Sequence, residues 1–305
     1  MHLSGGILLG TPQFVTAKRL IDQAFAANIG RNSGHAGVVI SGESTLGKTT
    51  LCKRMMRYVH KEYRTQVPDF RDHNRIPVAY IEVPAGSTGK LLMSTFLDFF
   101  GLTATSRETM ASMRTRVVNM LNTSNTQLVV IDELHNLRRN TVGNGESHDV
   151  LKNLHNDVAA TFLYAGINVK KMLAGERGQQ IGGRFALLEL QRYNLSKAVD
   201  KKVWHNLIQA FENSLPLQHH ESGTLSTLSD YLFERTNGSI GSLGRLLTGA
   251  AMDTIINPDI TLERIDEALL EKQTLDIAAE TARQEHQRRK ANPLSKKNIL
   301  EGLVA

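Results

Sequence analysis

Residues 42–49 combine two glycines, a lysine and a threonine at the spacing of a phosphate-binding loop. They read Gly42-Glu43-Ser44-Thr45-Leu46-Gly47-Lys48-Thr49 and match G-x-x-x-x-G-K-[ST]. Such a loop turns successive backbone N–H groups toward phosphate oxygens, and the helix that follows adds positive potential at its N-terminus. We expect Lys48 to reach the β- and γ-phosphates of ATP and Thr49 to hold Mg²⁺. Together with Thr50, the whole loop is predicted to bind nucleotide.

Two adjacent carboxylates, Asp132 and Glu133, follow the apolar run at residues 128–131. Asp132 is predicted to hold the magnesium shell, and Glu133 is placed to polarise the attacking water as a general base. A protein that only binds nucleotide could dispense with the second carboxylate. The pair therefore predicts magnesium-dependent hydrolysis of ATP to ADP and phosphate.

Three further polar residues are candidates for contact with the nucleotide, and each has an alternative. Asn168 follows the apolar run at residues 161–165, where it could bond the γ-phosphate or the lytic water, or cap the next helix. Arg184 precedes a weak strand at residues 186–190, and it could reach the nucleotide of a neighbouring subunit as an arginine finger or form a surface salt bridge. Arg245 follows a helix start near Gly241, and it could approach the same nucleotide or form a surface salt bridge.

The elements that must position these residues alternate between apolar runs and helical patterns. Helices are predicted at residues 12–29 and 50–63, and strands at residues 38–41, 77–83, 128–131, 161–165 and 186–190. Continuous apolar runs are typical of parallel strands that are covered on both faces. The predicted class is therefore α/β, with a parallel sheet flanked by helices.

Beyond about residue 195 the strand signals stop. Amphipathic helices are predicted at residues 197–213, 222–236, 240–256 and 261–287. We expect four regions: an N-terminal helix and loop at 1–35, an α/β nucleotide-binding domain at 36–195, a helical domain at 196–282, and a basic, partly flexible tail at 283–305.

Composition narrows the class of protein. Of 305 residues, 41% are hydrophobic, which is enough for one large or two ordinary globular domains, and the single cysteine excludes an intramolecular disulfide framework. The apolar runs are far shorter than the roughly 18 residues of a membrane span, and the N-terminus lacks a signal-peptide pattern. We expect a soluble, cytoplasmic protein that does not bind membranes.

The net charge of +6 is concentrated near the C-terminus. From residue 283 onward there are six Lys or Arg against two Glu. Such a tail could bind nucleic acid or an acidic protein surface, or it could simply be a solvated helix end.

Successive blocks of the sequence resemble one known family. The blocks are GESTLGKTTL, LVVIDELHNL, FLYAGIN, IGGRF, ENSLPL and TNGSIGSLGRLLTGAA. They are similar to the AAA+ ATPases of the TniB and TnsC type, the target-selection ATPases of DNA transposons, over about residues 11–270. The resemblance implies an AAA+ P-loop NTPase domain followed by a small helical lid. It also implies a homo-oligomer, a ring or a helical filament, that surrounds target duplex DNA and links a target-selecting protein to the transposase.

The resemblance also bears on individual residues. Arg184 matches the arginine of the family's Arg-Phe block and becomes a candidate finger acting in trans. Gly166-Ile167-Asn168 stands where relatives often carry Gly-Thr. The helix start at residues 238–241 lacks the arginine that many AAA+ proteins use as a second sensor, so Arg245 is a substitute candidate for that role.

Contacts to double-stranded DNA are implied for loops between the second strand and the acidic strand. The matching residues are Lys90 and the adjacent Thr105, Ser106 and Arg107, with Ser106 and Arg107 expected at the start of a helix. Such side chains suit phosphate contacts that carry no sequence information.

Two other classes share the same motifs. A helicase-loader or replication-initiator ATPase has a related fold, although an initiator normally appends a sequence-reading helix-turn-helix domain, and after about residue 270 only one basic helix and a tail are predicted. A signalling NTPase that acts as a switch and protein scaffold would share Lys48 and Asp132.

Overall fold

The computed structural model describes residues 10–137, 146–174, 182–260 and 262–291. The chain divides into two compact units, Pro12–Gln191 and a second unit that contains the residues from Arg192 onward. The first unit holds a five-stranded sheet, and the described elements of the second are helices. Of the residues singled out above for chemistry, only Arg245 lies in the second unit.

All five strands of the sheet run parallel, in the spatial order β2-β3-β4-β1-β5. They are β1 (Gly37–Ser41), β2 (Val78–Glu82), β3 (Leu128–Asp132), β4 (Thr161–Gly166) and β5 (Phe185–Glu189). The α/β prediction with a parallel sheet is therefore confirmed. Because β4 lies between β1 and β3, the loop carrying Asn168 lies between the phosphate loop and the acidic pair at one edge of the sheet.

Helices cover both faces of this sheet. They are α1 (Pro12–Asn28), α2 (Lys48–Gln66), α3 (Gly89–Phe99), α4 (Met110–Thr123), α5 (Glu146–Asp157) and α6 (Val169–Ala174). Along β1, Val38 and Ile40 join the core formed with α1 and α2, whereas Val39 joins the core formed with α3 to α6. Successive side chains of a strand point to opposite faces, so each strand needs apolar residues throughout its length. This explains the continuous apolar runs of the sequence.

The second unit is a group of helices around its own core. The helices are α7 (Ala198–Ser214), α8 (Thr224–Thr227), α9 (Ser229–Thr236), α10 (Ile240–Ile256), α11 (Glu267–Glu271) and α12 (Ile277–Ala291). Trp204 is fully buried in this core, which also contains Leu232, Leu246 and Leu270. No helix in the described ranges of either unit is long and apolar enough to cross a membrane.

Two of the helices predicted for this unit are interrupted. The helix predicted at residues 222–236 is divided into α8 and α9, and the one predicted at 261–287 into α11 and α12. In the second case two aspartates begin new helices: Asp266 accepts the N–H of Leu269, and Asp276 accepts the N–H of Ala279 at 3.2 Å. The predictions were wrong because the apolar periodicity continues through the break, whereas the caps act locally.

Candidate active site

The phosphate loop connects β1 to α2 at the carboxyl edge of the sheet. Helix α2 begins at Lys48, directly after Gly47, which has a φ of 82°. Thr45 also has a positive φ, 64°, and this is an outlier conformation for a β-branched residue. A Cβ added to Gly42 would lie 2.9 Å from the carbonyl oxygen of Leu190, so glycine is required where the loop passes the end of β5. Backbone strain of this kind concentrates at binding and catalytic sites.

Lys48 lies inside the loop. Its Nζ donates a hydrogen bond to the carbonyl oxygen of Glu43 at 2.7 Å, and the residue is 6% exposed. Burial lowers the pKa of Lys48, while the carboxylates of Glu133 and Asp132 act in the opposite direction. Phosphate oxygens beside this ammonium group would further favour its charged form. The position is suited to an anionic ligand.

Thr49 and Asp132 join the phosphate loop to the acidic strand. The Thr49 hydroxyl donates to Asp132 Oδ2 at 2.8 Å, and Asp132 Oδ1 accepts the N–H of Glu133 at 2.8 Å. A hydroxyl and a carboxylate fit Mg²⁺, which prefers oxygen ligands and usually keeps waters and substrate phosphates in its shell. Within the described ranges, no cluster of three or more His, Cys, Asp or Glu could hold a metal ion. Magnesium at Thr49 and Asp132 remains a prediction.

Tyr80 on β2 also contacts Asp132, although no motif of the sequence marks it. Its hydroxyl donates to Asp132 Oδ2 at 3.1 Å. Burial, reinforced by the charge of Asp132, raises the pKa of Tyr80, so the phenol remains a donor. Tyr80 and Asp132 are 52 positions apart, and the pairing of β2 with β3 brings them together.

Glu133 differs from its neighbour Asp132 in exposure and backbone conformation. Asp132 is fully buried, whereas the Glu133 side chain is 31% exposed. Glu133 has a φ of 54° and directly precedes a 3-10 turn at Leu134–Asn136. The exposure of Glu133 would let it reach water, and the roles of the two carboxylates remain predictions.

Asn168 occupies the loop between these groups, after β4. It is exposed, has a φ of 53°, and its carbonyl oxygen accepts the N–H groups of Lys171 and Met172 as α6 begins. Its backbone thus starts a helix while its side chain stays accessible. A contact with the γ-phosphate remains a prediction.

Arg184 lies at the opposite edge of the sheet from the phosphate loop. Its carbonyl oxygen accepts the N–H of Gly37, the first residue of β1, so the five residues of β1, about 16 Å of strand, separate it from the loop. The guanidinium group donates to Asn156 Oδ1 at 3.3 Å and packs over Gly34, where a Cβ would lie 2.6 Å from Nη1. Arg184 is exposed at this edge, which is compatible with contact to a second subunit but not to the nucleotide of its own chain.

The amino edge of the sheet is the side where its parallel strands begin and where Arg184 lies. Acid is expected to destabilise this edge through His155 on α5. The residue is 1% exposed, and burial, followed by the charges of His35 and Arg184, lowers its pKa to about 4. The unfolded chain takes up this proton near pH 6.5, so the stability present above pH 6.5 is lost as the pH falls toward 4.

Between pH 7 and pH 5, this term lowers the free energy of unfolding by about 2 kcal/mol. Urea denaturation at both pH values should therefore show a smaller pH dependence for His155→Phe than for the parent protein. The same pH dependence in both proteins would contradict this account of His155.

Lys90 and residues 105–107 are adjacent in the structure. The Lys90 Nζ, near the start of α3, donates to the carbonyl oxygen of Ser106 at 3.3 Å, and Thr105, Ser106 and Arg107 are exposed. The expectation that Ser106 and Arg107 begin a helix is wrong. Helix α4 begins at Met110 because the Thr109 side chain caps it by accepting the N–H of Ser112. Ser106 and Arg107 lie in the preceding turn.

Arg245 is exposed on α10 in the second unit. Its approach to the nucleotide remains a prediction.

A family model described as "Bacterial TniB protein" matches residues 16–195 of the chain. The match contains the phosphate loop, the acidic pair, Asn168, Arg184 and the loops with Lys90 and Arg107. No curated protein matches the sequence significantly.

Several solved structures have a similar fold. The ORC2 protein of Aeropyrum pernix in its ADP form has a TM-score of 0.62 at 16% identity, over 89% of this chain and 70% of that chain. The ORC1 protein of the same organism in complex with DNA has a TM-score of 0.61 at 14% identity, over 94% of this chain and 68% of that chain. Cdc6p from Pyrobaculum aerophilum has a TM-score of 0.55 at 13% identity, over 82% and 64% of the two chains. At these identities the likeness concerns the fold, which is that of the AAA+ ATPases.

Proposed function

The chain belongs to the TniB family of bacterial proteins, and on that premise we propose that it is a magnesium-dependent ATPase that regulates DNA transposition. It assembles as a homo-oligomer, a ring or a helical filament, on target duplex DNA and links a target-selecting protein to the transposase. The observation that carries the hydrolytic part is the convergence of buried Lys48, the Thr49–Asp132 pair and accessible Glu133 at one edge of the sheet.

The proposed hydrolysis assigns one task to each group. Backbone N–H groups of residues 42–47 and the Lys48 ammonium group bind the phosphates, and Thr49 and Asp132 hold magnesium. Glu133 accepts a proton from the attacking water. Asn168 orients the γ-phosphate or that water. Magnesium supplies charge neutralisation at the phosphates when it is bound.

The two edges of the sheet support assembly by a head-to-tail contact. Glu133 lies at the carboxyl edge and Arg184 at the amino edge, and one chain cannot bring the two together across β1. A heterologous contact that places Arg184 of one subunit against the nucleotide of the next generates a ring when the rotation closes and a filament when it does not. A signalling NTPase that switches conformation within one subunit would not need an exposed arginine at the amino edge.

DNA binding is assigned to the surface formed by Lys90, Thr105, Ser106 and Arg107. Nearby, Glu108 forms an ion pair with Arg116 at 2.9 Å, and the described partner of the Lys90 ammonium group is a carbonyl oxygen. A single subunit offers few positive charges on this surface. Assembly repeats the surface along the phosphates, so binding should be cooperative and should depend on nucleotide.

Lys90→Ala is expected to weaken binding to duplexes of unrelated sequence by a similar factor. Phosphate contacts fix position without reading bases, and the logarithm of the binding constant falls with the logarithm of salt concentration by about 0.9 per phosphate neutralised. Fluorescence anisotropy with two unrelated duplexes, across a salt series and with a slowly hydrolysed ATP analogue, measures both the affinity and the slope. The slope should become shallower in Lys90→Ala.

Lys61→Ala provides the matched control, since it removes an exposed lysine from α2. Its affinity and salt slope should equal those of the parent. Loss of binding in Lys61→Ala but not in Lys90→Ala would contradict the proposed surface.

Removal of residues 292–305 should spare DNA binding and weaken contact with a transposase, if the tail is a docking segment.

Replication ATPases are the nearest alternative because their structures have a similar fold. The family match favours the transposition role, whereas the likeness to ORC and Cdc6 proteins, at 13–16% identity, speaks only to the fold. Electron microscopy with duplex DNA and a slowly hydrolysed ATP analogue tests the proposed assembly, and monomers alone under these conditions would contradict it.

A further inference from the structure

His135 lies between Glu133 and the loop that follows β4. Its Nε2 is 3.3 Å from Glu133 Oε2, and its Nδ1 accepts the backbone N–H of Ile167 at 3.3 Å. A Cβ at Gly166 would lie 3.1 Å from Nδ1, so the glycine makes room for the ring. The imidazole therefore bridges two loops of the carboxyl edge that are more than 30 positions apart in sequence.

The contact with Ile167 determines which ring nitrogen carries the proton. A backbone N–H can only donate, so Nδ1 must accept, and in the neutral imidazole the proton then lies on Nε2. Nε2 lies 3.3 Å from Oε2 of the Glu133 carboxylate, whose side chain is 31% exposed. The imidazole thus gives this carboxylate a polar contact on one side.

The turn that carries His135 is itself held from the other side. The Asn136 side chain donates to the carbonyl oxygen of Val83 at 3.0 Å, and the Asn136 carbonyl accepts the N–H of Ser87 at 3.1 Å. These contacts fix the backbone of the turn against the end of β2. The position of the imidazole is thus determined by contacts with β2 on one side and with Ile167 on the other.

We propose that His135 is a positioning residue for the general base Glu133, and that it couples the orientation of this carboxylate to the loop carrying Asn168. The proposal rests on the hydrolytic role proposed for Glu133. Asn168 directly follows Ile167, whose backbone N–H donates to the imidazole of His135. A nucleotide that binds the Asn168 side chain would therefore also restrain the position of this N–H. Because the imidazole also contacts Glu133, the same restraint orients the carboxylate that accepts the proton from water.

Two substitutions separate the two contacts of the ring. In His135→Asn the amide lies near the position of Nδ1 and cannot reach Glu133, whereas in His135→Gln it extends toward the position of Nε2. Loss of this orienting contact is expected to lower kcat for ATP by about tenfold in His135→Asn, with KM within about twofold of the parent value. His135→Gln should lose less than about threefold.

A double-mutant cycle distinguishes positioning from a general structural effect. Glu133→Asp shortens the side chain by one methylene and moves the carboxylate away from Nε2. In that background His135→Asn should change kcat by less than about twofold, because the contact has already been removed. Binding of a fluorescent ATP analogue and the unfolding midpoint show that each variant is folded.

Several results would overturn the proposal. They are equal losses of kcat in His135→Asn and His135→Gln, a tenfold loss that persists in Glu133→Asp, and a rise in KM without a fall in kcat. Normal turnover in Glu133→Gln would instead overturn the role of Glu133. The failure of the proposed hydrolysis and the failure of the His135 inference are therefore distinguishable.

Discussion

Glu133→Gln is expected to lower the rate of ATP hydrolysis by at least about a hundredfold while ATP binding is retained. The amide keeps the size of the side chain but cannot accept the proton of the attacking water. Lys48 and the Thr49–Asp132 pair, which are proposed to bind the phosphates and magnesium, remain in place. Phosphate release measures turnover, and binding of a fluorescent ATP analogue measures affinity.

Two comparisons make this result specific. Lys48→Ala should lose binding itself, because it removes the ammonium group from inside the loop. Glu62→Gln, a change at an exposed position of α2, should behave like the parent. Turnover in Glu133→Gln equal to that of the parent would contradict the assignment of the general base.

Arg184→Ala is expected to reduce turnover of the assembled protein by about a thousandfold, as loss of an arginine finger does. The effect should appear in the neighbouring subunit, because Arg184 lies at the edge of the sheet away from its own phosphate loop. Mixing Arg184→Ala with Lys48→Ala should therefore restore activity at mixed interfaces. At such an interface the Arg184→Ala subunit supplies an intact nucleotide site, and the Lys48→Ala subunit supplies the arginine.

The mixing experiment requires evidence of co-assembly, for example by pull-down of one tagged variant with the other in the presence of ATP. Arg19→Ala, which removes an exposed arginine from α1, provides the matched control and should keep the parent turnover. Co-assembled mixtures without recovered activity would indicate that Arg184 serves the packing around Gly34 and Asn156 instead.

The sequence by itself determined the class of the fold and predicted the chemistry of the site. The glycines, Lys48 and Thr49 have a fixed spacing because the loop must turn its backbone around phosphates, and this local requirement can be read along the chain. The apolar runs identified all five strands to within one residue at each end, since a strand covered on both faces needs apolar residues throughout. Helix α10 was likewise predicted with its observed bounds.

Only the tertiary structure decided which distant residues meet. The strand order places Asn168 between the phosphate loop and the acidic pair, brings Tyr80 to Asp132, and sends Arg184 to the opposite edge. His135 was part of a recognised block, but its contact with Ile167 depends on β4 lying beside β3. Strand order and side-chain contacts result from the packing of segments far apart in sequence, and no local pattern encodes them. The local caps at Asp266 and Asp276 similarly override a periodicity that extends across them.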